Sequence, residues 1–289
     1  SNVNNGKLTP IVLQNIDNIS SNEMTMVDAY AGSIWYCLFL WEIFERVAII
    51  DDSQVFLSVV NINMANAFWN SHYMTYGNGN QSGAPKMGPL TSIDVVGHES
   101  GHGIIEALGN LTYQGESGAL NESIADIFGI CLEKYYDIRA QKNLFDWDMG
   151  EDFMVGGMRS LSNPKSHDQP DTYQGRNWAD PYGNFDNGGV HINSGVNNYF
   201  FYSVTTGANG KNDNGVEYNV SKTIPIFSLA KLIYLSLKGA PGYRKITTDV
   251  NYRQYTECLL SNYQHYLETN GLDSGLGESI LEGLIAVGL

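Results

Sequence analysis

The chain has 289 residues, of which 43% are hydrophobic, so it is long enough to bury one or two substantial cores. Its net charge of −15 argues against binding to nucleic acids and anionic membrane surfaces, because their phosphates repel an acidic protein. No apolar run approaches the roughly 20 residues needed to cross a bilayer, which argues against membrane insertion.

The first predicted elements build structure and carry no obvious chemistry. Residues 34–44 form the densest apolar stretch and predict a buried helix. Residues 54–61 predict a strand, and the Gly-, Asn- and Pro-rich residues 76–88 predict a loop. This loop leads directly into the most informative segment of the chain.

The next predicted helix, residues 93–108, carries the sequence His98-Glu99-Ser100-Gly101-His102. Residues four apart lie on the same face of a helix, so the two imidazoles can bind one metal ion. Glu99 lies one position round, where its carboxylate can reach a water on that metal without being a ligand. This H-E-x-x-H arrangement is typical of zinc metallopeptidases. The five-residue motif alone is also compatible with a pair of histidines on a solvated helix face that bind no metal.

Three glycines inside this helix, Gly97, Gly101 and Gly103, each disfavour it by about 1 kcal/mol relative to alanine. Such glycines are tolerable where another backbone or a substrate must come close to the helix. Ser92 is expected to cap the start of the helix, and Gly109 is suited to its end.

Apolar residues at helical spacing between residues 120 and 135 predict a second, largely buried helix. Its other side carries Glu122, Asp126 and Glu133, and buried carboxylates are rare unless they are paired or bound to metal. Catalytic zinc usually has three protein ligands, so Glu122 is the natural partner of the two motif histidines. Asp126 is placed to accept a hydrogen bond from the free N–H of a ligand histidine.

Long polar segments and helices alternate in the rest of the chain. Residues 163–193 predict a Gly-rich loop that covers a site, and residues 206–219 predict a second, mobile loop. Helices are predicted at residues 224–237, 252–267 and 279–287.

The cysteines and the remaining histidines indicate no further site. The cysteines are odd in number and widely spaced, which does not indicate a disulfide framework: Cys37, Cys131 and Cys258. Cys131 falls on the apolar side of the second helix and is expected to be a buried thiol. Three histidines lie in polar contexts and are interpreted as solvated: His72, His167 and His265.

Several sequence blocks together resemble the thermolysin-like neutral metallopeptidases, within the gluzincins. They occur in the family's order: Asn66-Ala-Phe-Trp69, Ile93-Asp-Val-Val-Gly-His-Glu-Ser-Gly-His102, Tyr113-Gln-Gly-Glu-Ser-Gly-Ala-Leu-Asn-Glu122, Asp126-Ile-Phe-Gly129 and Asp186-Asn-Gly-Gly-Val-His-Ile-Asn-Ser-Gly195. The last block is especially specific, because general helix or turn chemistry requires nothing in it. Nineteen residues separate His102 from Glu122, a gap that resembles this family and not the related aminopeptidases, where it is one shorter.

The resemblance implies a role for each matching position. For zinc it implies three ligands and a general base: His98, His102, Glu122 and, as the base, Glu99. For the tetrahedral oxyanion it implies two stabilising groups and a carboxylate that orients the second: Tyr113, His191 and Asp186. For the substrate backbone it implies Asn66, the Ala67 carbonyl and Arg159. For the residue after the scissile bond it implies an apolar pocket of Val95, Met149, Phe153 and Met158.

Five carboxylates resemble the ligands of the family's paired calcium site: Asp94, Glu133, Asp146, Asp148 and Glu151. Oxygen donors clustered this densely repel one another unless a cation neutralises them. The segment between Asp152 and Arg159 lacks the family's further calcium loop, and the stretch before Val27 is much shorter than usual. The resemblance therefore implies structural Ca²⁺ and a shortened N-terminal sheet.

We therefore predict an α+β fold with two lobes and a zinc cleft between them. A β-containing N-terminal lobe (residues 1–92) and a mainly helical C-terminal lobe (residues 109–289) flank the central helix, residues 93–108. The predicted activity is zinc-dependent hydrolysis of internal peptide bonds in proteins, by Glu-assisted attack of zinc-bound water. An apolar residue is expected after the scissile bond.

The resemblance also implies protein or peptide substrates. The sequence shows no signal peptide or propeptide, so we expect a secreted mature form cut from a longer precursor with a propeptide, and we expect a monomer. Two alternatives remain open. A non-catalytic homologue predicts damage to the base or the oxyanion residues, whereas Glu99, Tyr113 and His191 are intact. An exopeptidase predicts a carboxylate that clamps a free amino terminus, and residues 66–69 offer none.

Overall fold

The computed structural model describes residues 2–4, 7–9, 20–49, 56–80, 82–83, 86–270 and 277–289. Its helices are α1 (Ser21–Phe44), α2 (Ile93–Leu108), α3 (Gly115–Ala140), α4 (Asp186–Asn193), α5 (Gly195–Thr206), α6 (Ile226–Lys238), α7 (Tyr252–Asn270) and α8 (Gly277–Ala286). Its strands are β1 (Asn2–Asn4), β2 (Lys7–Thr9), β3 (Ser58–Ile62), β4 (Ala67–Trp69), β5 (Met74–Gly77), β6 (Asp148–Met149), β7 (Arg159–Ser160), β8 (Ala208–Lys211) and β9 (Glu217–Val220). A 3₁₀ turn covers Pro164–His167.

The N-terminal lobe combines α1 with a three-stranded sheet in the order β3-β5-β4. The central strand β5 pairs parallel with β3 and antiparallel with β4. The predicted strand at residues 54–61 is therefore present as β3, although residues 54 and 55 lie outside the described part of the chain. Strand β4 ends the sheet on the side that packs against α2.

Helix α1 differs from the prediction in both length and burial. It begins at Ser21, where the Ser20 side chain accepts a hydrogen bond from the Glu23 backbone and Glu23 reciprocates. Its inner face is buried, but Ile34 and Trp41 are exposed. Residues 34–44 are helical as predicted, but their burial is confined to one face, because described residues pack against one side of α1 only.

Two of the three glycines of α2, Gly97 and Gly101, let it approach α3 closely. A Cβ atom on Gly97 would lie 2.8 Å from the Cα of Gly129 on α3. A Cβ atom on Gly101 would lie 3.1 Å from the Cα of Ala125. Both distances are shorter than ordinary contacts between carbon atoms, so the two backbones occupy the space of the missing side chains. Ser92 precedes the helix as predicted, but its side chain makes no capping hydrogen bond.

Helix α3 is the centre of the C-terminal lobe, with most of its residues buried against the surrounding helices. The predicted helices at residues 224–237, 252–267 and 279–287 are confirmed as α6, α7 and α8. Cys131 and Cys258 are buried thiols, and Cys37 is exposed and free. Within the described part of the chain, no helix combines the length and the apolarity that a bilayer crossing requires.

Both long loop predictions were wrong in part. Residues 186–193 form α4, although they were predicted to be loop. The helix is irregular, because Asn187, Gly188 and Gly189 adopt left-handed φ angles of 48°, 81° and 72° within it. Residues 206–219 contain most of the β8–β9 hairpin, which is paired along four residues and packs against α8. Its turn is closed by the Asn212 side chain, which accepts hydrogen bonds from the Asn214 and Val216 backbones.

Candidate metal centre

Helices α2 and α3 bring His98, His102 and Glu122 together at the base of a cleft. The two Nε2 atoms lie 3.0 Å apart. Glu122 Oε2 lies 3.7 Å from His98 Nε2, and Glu122 Oε1 lies 3.4 Å from His102 Nε2. Among the described residues, this is the set of three metal-binding side chains whose ligand atoms all lie within 4.8 Å of one another.

The hydrogen bonds around the two histidines leave both Nε2 atoms available to a metal. His98 Nδ1 lies 2.8 Å from Asp126 Oδ1, and His102 Nδ1 lies 2.8 Å from Asn121 Oδ1. A carboxylate or amide oxygen only accepts, so each Nδ1 carries hydrogen and each neutral ring presents a lone pair at Nε2. Two lone pairs 3.0 Å apart repel each other unless a proton or a cation lies between them.

The donor set fits zinc. Two imidazole nitrogens and one carboxylate make up a ligand set found in catalytic zinc sites, which keep a fourth position open. Glu122 is 1% exposed, and its Oε2 atom has no hydrogen-bond partner. A buried carboxylate oxygen without a partner is costly, and a cation at this position would satisfy it.

The acid–base properties of these ligands show how strongly they interact. Burial acts to raise the pKa of Glu122, but the neighbouring histidines, His102 above all, hold it well below its ordinary value. Burial acts to lower the pKa of His102, yet the Glu122 carboxylate raises it to about 9. Each group therefore favours the charged form of the other, and a cation bound between them would take over that role.

Glu99 lies beside this cluster without joining it. It is 5% exposed and lines the same cleft. Burial raises the pKa of its carboxyl above the ordinary value, while the charges of His98 and His102 oppose that shift. A carboxylate with a raised pKa, adjacent to a metal centre, is suited to accept and return a proton.

Tyr113 and His191 form the opposite wall of the cleft. The Tyr113 hydroxyl donates to Glu122 and lies 3.1 Å from His191 Nε2. Burial, followed by the charge of Glu122, raises the pKa of Tyr113 far above its ordinary value, so the phenol remains a donor. Asp186 makes two contacts with His191. Its Oδ1 lies 2.6 Å from His191 Nδ1, and its Oδ2 accepts a hydrogen bond from the His191 backbone N–H at 2.8 Å. This leaves His191 Nε2 directed towards Tyr113.

Asp126 is the buried junction between His98 and Arg159. It is completely buried, and Arg159 donates to both of its oxygens, at 2.6 Å and 3.0 Å. Burial acts to raise the pKa of Asp126, but the charge of Arg159 and the hydrogen bond from His98 lower it below the ordinary value. Asp126 is therefore an anion that accepts from the metal-site histidine.

The cleft has a volume of about 760 Å³ and includes most of the predicted substrate-binding residues: Asn66, Ala67, Val95, Met149, Met158 and Arg159. Ala67 belongs to β4, the strand that ends the three-stranded sheet, so its free edge faces the cleft. Phe153 does not line this cleft. It lines a separate cavity of about 720 Å³ next to α1, together with Trp35.

The predicted calcium-binding carboxylates lie near one another beside the α2–α3 crossing. Asp94 accepts from the backbone N–H groups of Val95 and Gly150, at 2.7 Å and 2.6 Å. Burial, followed by the charge of Asp94, raises the pKa of Glu133 to about 10 and that of Glu151 to about 8. The Oε2 atoms of Glu133 and Glu151 are buried without partners. Asp148 donates its backbone N–H to Asp146 at 2.8 Å.

Several residues near the site were not predicted from the sequence. Asn121 orients His102, and its position directly before Glu122 on a buried helix was the available clue. Glu106 lines the cleft and accepts from Trp69 Nε1 at 2.6 Å. Asp152 adds a further negative charge to the acidic cluster. His167, interpreted as solvated, is half-buried, and its Nε2 lies 2.9 Å from the Gly156 carbonyl.

Two models of known protein families match consecutive parts of the chain. Residues 2–106 match the model of the thermolysin metallopeptidase catalytic domain, and residues 109–256 match the model of the thermolysin metallopeptidase alpha-helical domain. The precursor of protealysin, a metalloproteinase from Serratia proteamaculans, has a similar fold with a TM-score of 0.74 and 24% sequence identity. That similarity covers 98% of this chain and 84% of the other.

Two relatives show the level of sequence similarity. Bacillolysin from Bacillus cereus is 41% identical over 187 residues, which is 62% of this chain and 30% of the relative. Thermolysin from Bacillus sp. strain EA1 is 37% identical over 235 residues, which is 77% of this chain and 39% of the relative. The matched region thus spans between 30% and 39% of the length of these curated relatives.

Proposed function

The chain belongs to the thermolysin metallopeptidase family, and from this premise we propose that it is a zinc-dependent endopeptidase that hydrolyses internal peptide bonds of proteins. The observation that carries the proposal is the buried set His98, His102 and Glu122, with ligand atoms within 4.8 Å of one another and Glu99 beside them. A zinc ion held by the three ligands would supply a Lewis acid that polarises the peptide carbonyl and acidifies water.

Glu99 is the general base in this proposal. Its carboxylate accepts the proton of the attacking water and then delivers it to the leaving amine. The raised pKa of the buried carboxyl supports the second step, because a carboxyl that holds its proton more tightly is present as an acid when the amine departs. The charges of the two motif histidines oppose that shift.

Tyr113 and His191 stabilise the negative charge that develops on the carbonyl oxygen. Both side chains reach the same wall of the cleft, with 3.1 Å between the Tyr113 hydroxyl and His191 Nε2. Asp186 fixes the ring of His191 through Nδ1, so that Nε2 is the atom presented to the substrate. Preorganised donors of this kind act on charge that appears only in the transition state.

Substrate binding is expected along β4 and the apolar part of the cleft. An extended peptide can pair with the free edge of β4 through the Asn66 side chain and the Ala67 carbonyl. Val95, Met149 and Met158 line the cleft and support a preference for an apolar residue after the scissile bond. We place Phe153 outside this pocket, since it lines the neighbouring cavity.

Arg159 is proposed to bind the carbonyl beyond the scissile bond. Its guanidinium is held by Asp126 and extends to 4.0 Å from Glu122 Oε2, close to the metal ligands. A planar guanidinium keeps donors free after one carboxylate has engaged two of them. Arg159 can therefore position both Asp126 and the peptide.

We further propose that Ca²⁺ neutralises the acidic cluster of Asp94, Glu133, Asp146, Asp148 and Glu151. The unpartnered oxygens of Glu133 and Glu151 support this, because a cation would satisfy both. Family membership supports a precursor with a propeptide and a secreted mature form, and we propose that the mature form is a monomer. We also propose a division into residues 1–92 and 109–289 on either side of α2, whereas the two family models divide the chain between residues 106 and 109.

An unstructured protein substrate provides the direct test. The zinc- and calcium-loaded protein should cut it at internal positions, and a zinc chelator should abolish cleavage while added zinc restores it. Release of single residues from the amino terminus would indicate an exopeptidase. A zinc-binding protein that leaves the substrate intact would indicate a non-catalytic homologue, and either result would overturn the proposal.

A further inference from the structure

A buried chain of hydrogen bonds connects helix α5 with the metal-site histidine of helix α2. Asn198 on α5 donates from Nδ2 to Asp126 Oδ2 at 2.8 Å. Its own Oδ1 accepts from the Ser123 hydroxyl at 2.7 Å, and that hydroxyl accepts from Asn197 Nδ2 at 2.9 Å. Asp126 Oδ1 lies 2.8 Å from His98 Nδ1.

The donor and the acceptor of each hydrogen bond from Asn197 through Ser123 and Asn198 to Asp126 can be assigned. An ionised carboxylate only accepts, so the amino group of Asn198 must face Asp126. The amino group of Asn197 only donates, so the Ser123 hydroxyl must direct its hydrogen to the Asn198 carbonyl oxygen. The orientation of the Asn198 amide is thus fixed from both ends.

The side chains of this hydrogen-bond network are also inaccessible to solvent. Ser123, Asp126 and Asn198 are each 0% exposed, and Asn197 is 3% exposed. Water therefore does not replace a missing donor from the surface. Removing one member leaves a buried acceptor unpaired, which is more damaging than the loss of an exposed hydrogen bond.

From these contacts we infer that Asn198, held by Ser123, is a positioning residue that sets the orientation of Asp126 and through it the ring of His98. Asp126 accepts three hydrogen bonds, two from Arg159 and one from Asn198, and its Oδ1 also lies 2.8 Å from His98 Nδ1. Arg159 lies at the cleft, whereas Asn198 approaches from the buried interior of the C-terminal lobe. Asn198 therefore anchors the carboxylate from the side that substrate does not reach.

This inference rests on the proposed function, because it assigns the orientation of His98 to zinc binding. Its consequence is nevertheless measurable without substrate. Partners that orient a ligand histidine typically affect metal affinity by about 10- to 100-fold. Asn198 acts one step further out than Asp126, so Asn198→Ala is expected to weaken zinc binding by about tenfold.

The test measures the zinc dissociation constant by competition with a chromogenic chelator, on protein whose circular dichroism matches that of the wild type. Asn198→Ala should bind zinc about tenfold more weakly, and Ser123→Ala should weaken binding by less, since it only releases the Asn198 amide. Saturating zinc should restore most of the peptidase turnover of both variants, because the ligands and Glu99 are unchanged.

Asn262→Ala is the matched control. Asn262 is 1% exposed and makes three hydrogen bonds of 2.6–2.8 Å to Arg244 and Ser236, neither of which bonds to Asp126, Asn198 or Ser123. It should lose comparable thermal stability without a change in zinc affinity. If Asn198→Ala does not fold, Ser123→Ala decides the question alone.

Wild-type zinc affinity in the folded Asn198→Ala and Ser123→Ala variants would overturn the inference. So would an equal loss of affinity in Asn262→Ala, because the effect would then reflect general destabilisation. A wild-type protein that binds zinc but cuts no substrate would refute the proposed function while leaving the positioning inference open to the same affinity comparison.

Discussion

The separation of α2 and α3 sets the geometry of the metal centre, so filling the gap between them should damage it. Gly129 on α3 is the tightest point of that crossing towards α2: an added Cβ would lie 2.5 Å from the Asp94 carbonyl oxygen and 3.2 Å from Met149 Cε. A carbon–oxygen contact relaxes to about 3.3 Å, so Gly129→Ala requires a displacement of about 0.8 Å. The carbonyl belongs to the α2 backbone and does not rotate away.

The effect on stability can be derived from this contact. Overpacking of a rigid site disfavours the folded state by about 1–3 kcal/mol, and the backbone contact puts Gly129→Ala near the upper value. Alanine favours a helix over glycine by about 1 kcal/mol, which offsets part of the loss. The net destabilisation is about 2 kcal/mol, or about 4–8 °C in melting temperature for a protein of this size.

The effect on zinc should be larger than the effect on stability. Metal–ligand distances tolerate shifts of about 0.2 Å, whereas the required displacement is about fourfold greater. His98 lies one helical turn beyond Asp94, so movement of α2 separates both histidines from Glu122 on α3. Zinc affinity should fall by at least about tenfold.

Thermal unfolding and chelator competition measure the two effects on the same preparation. Gly277→Ala is the control, because a Cβ at this first residue of α8 meets its nearest atom, Tyr263 Cε1, only at 4.0 Å. It should keep wild-type zinc affinity and stability. If Gly129→Ala melts no lower than wild type and binds zinc as tightly, the separation of the helices does not control the metal site.

Three further predictions concern the chemistry and the acidic cluster. Glu99→Gln should bind zinc normally but lose at least about 10²-fold in turnover, and substantial activity in the zinc-loaded variant would exclude Glu99 as the base. Tyr113→Phe should lower kcat by about 10²-fold with little change in zinc affinity, which steady-state kinetics and chelator competition together would check. In calcium-free buffer, Glu133 and Glu151 have folded-state pKa values of about 10 and about 8, against an ordinary 4.5, so the folded state keeps protons that the unfolded chain has released. Melting temperature should therefore fall as pH rises from about 5 towards 10 and should recover with added calcium, and a curve insensitive to both would contradict calcium binding there.

The metal site could be predicted from the sequence, because the spacing of residues along a helix determines which side chains share a face. The four-residue interval from His98 to His102 fixes a shared helix face before any tertiary contact is known. The approach of α3 was also predictable in kind, since Gly97 and Gly101 disfavour a helix unless another backbone occupies the space. Neither pattern contains the distance between the helices, which packing alone determines.

Features that depend on tertiary contacts were missed or misplaced. Asn198 lies 72 residues from Asp126 in the chain, and no local pattern connects them. The apolar run at residues 34–44 predicted burial, yet a run that is apolar on every side does not show which face will be covered. Phe153 matched the position of a family pocket residue, but the turn after Gly150 directs it to the neighbouring cavity. Composition and spacing do not encode such loop paths.

The charge balance of α2 and α3 indicates that bound cations would stabilise this fold. Five carboxylates on the two helices are 7% exposed or less: Asp94, Glu99, Glu122, Asp126 and Glu133. Arg159 neutralises Asp126, and protons shared with the histidines accommodate Glu122. Asp94 and Glu133 face each other's charge, and burial keeps the pKa of both above ordinary values. Buried carboxylates persist only with protons or cations as partners. Zinc at one end of the crossing and calcium at the other would therefore complete the folded state itself, with catalysis added at the zinc end.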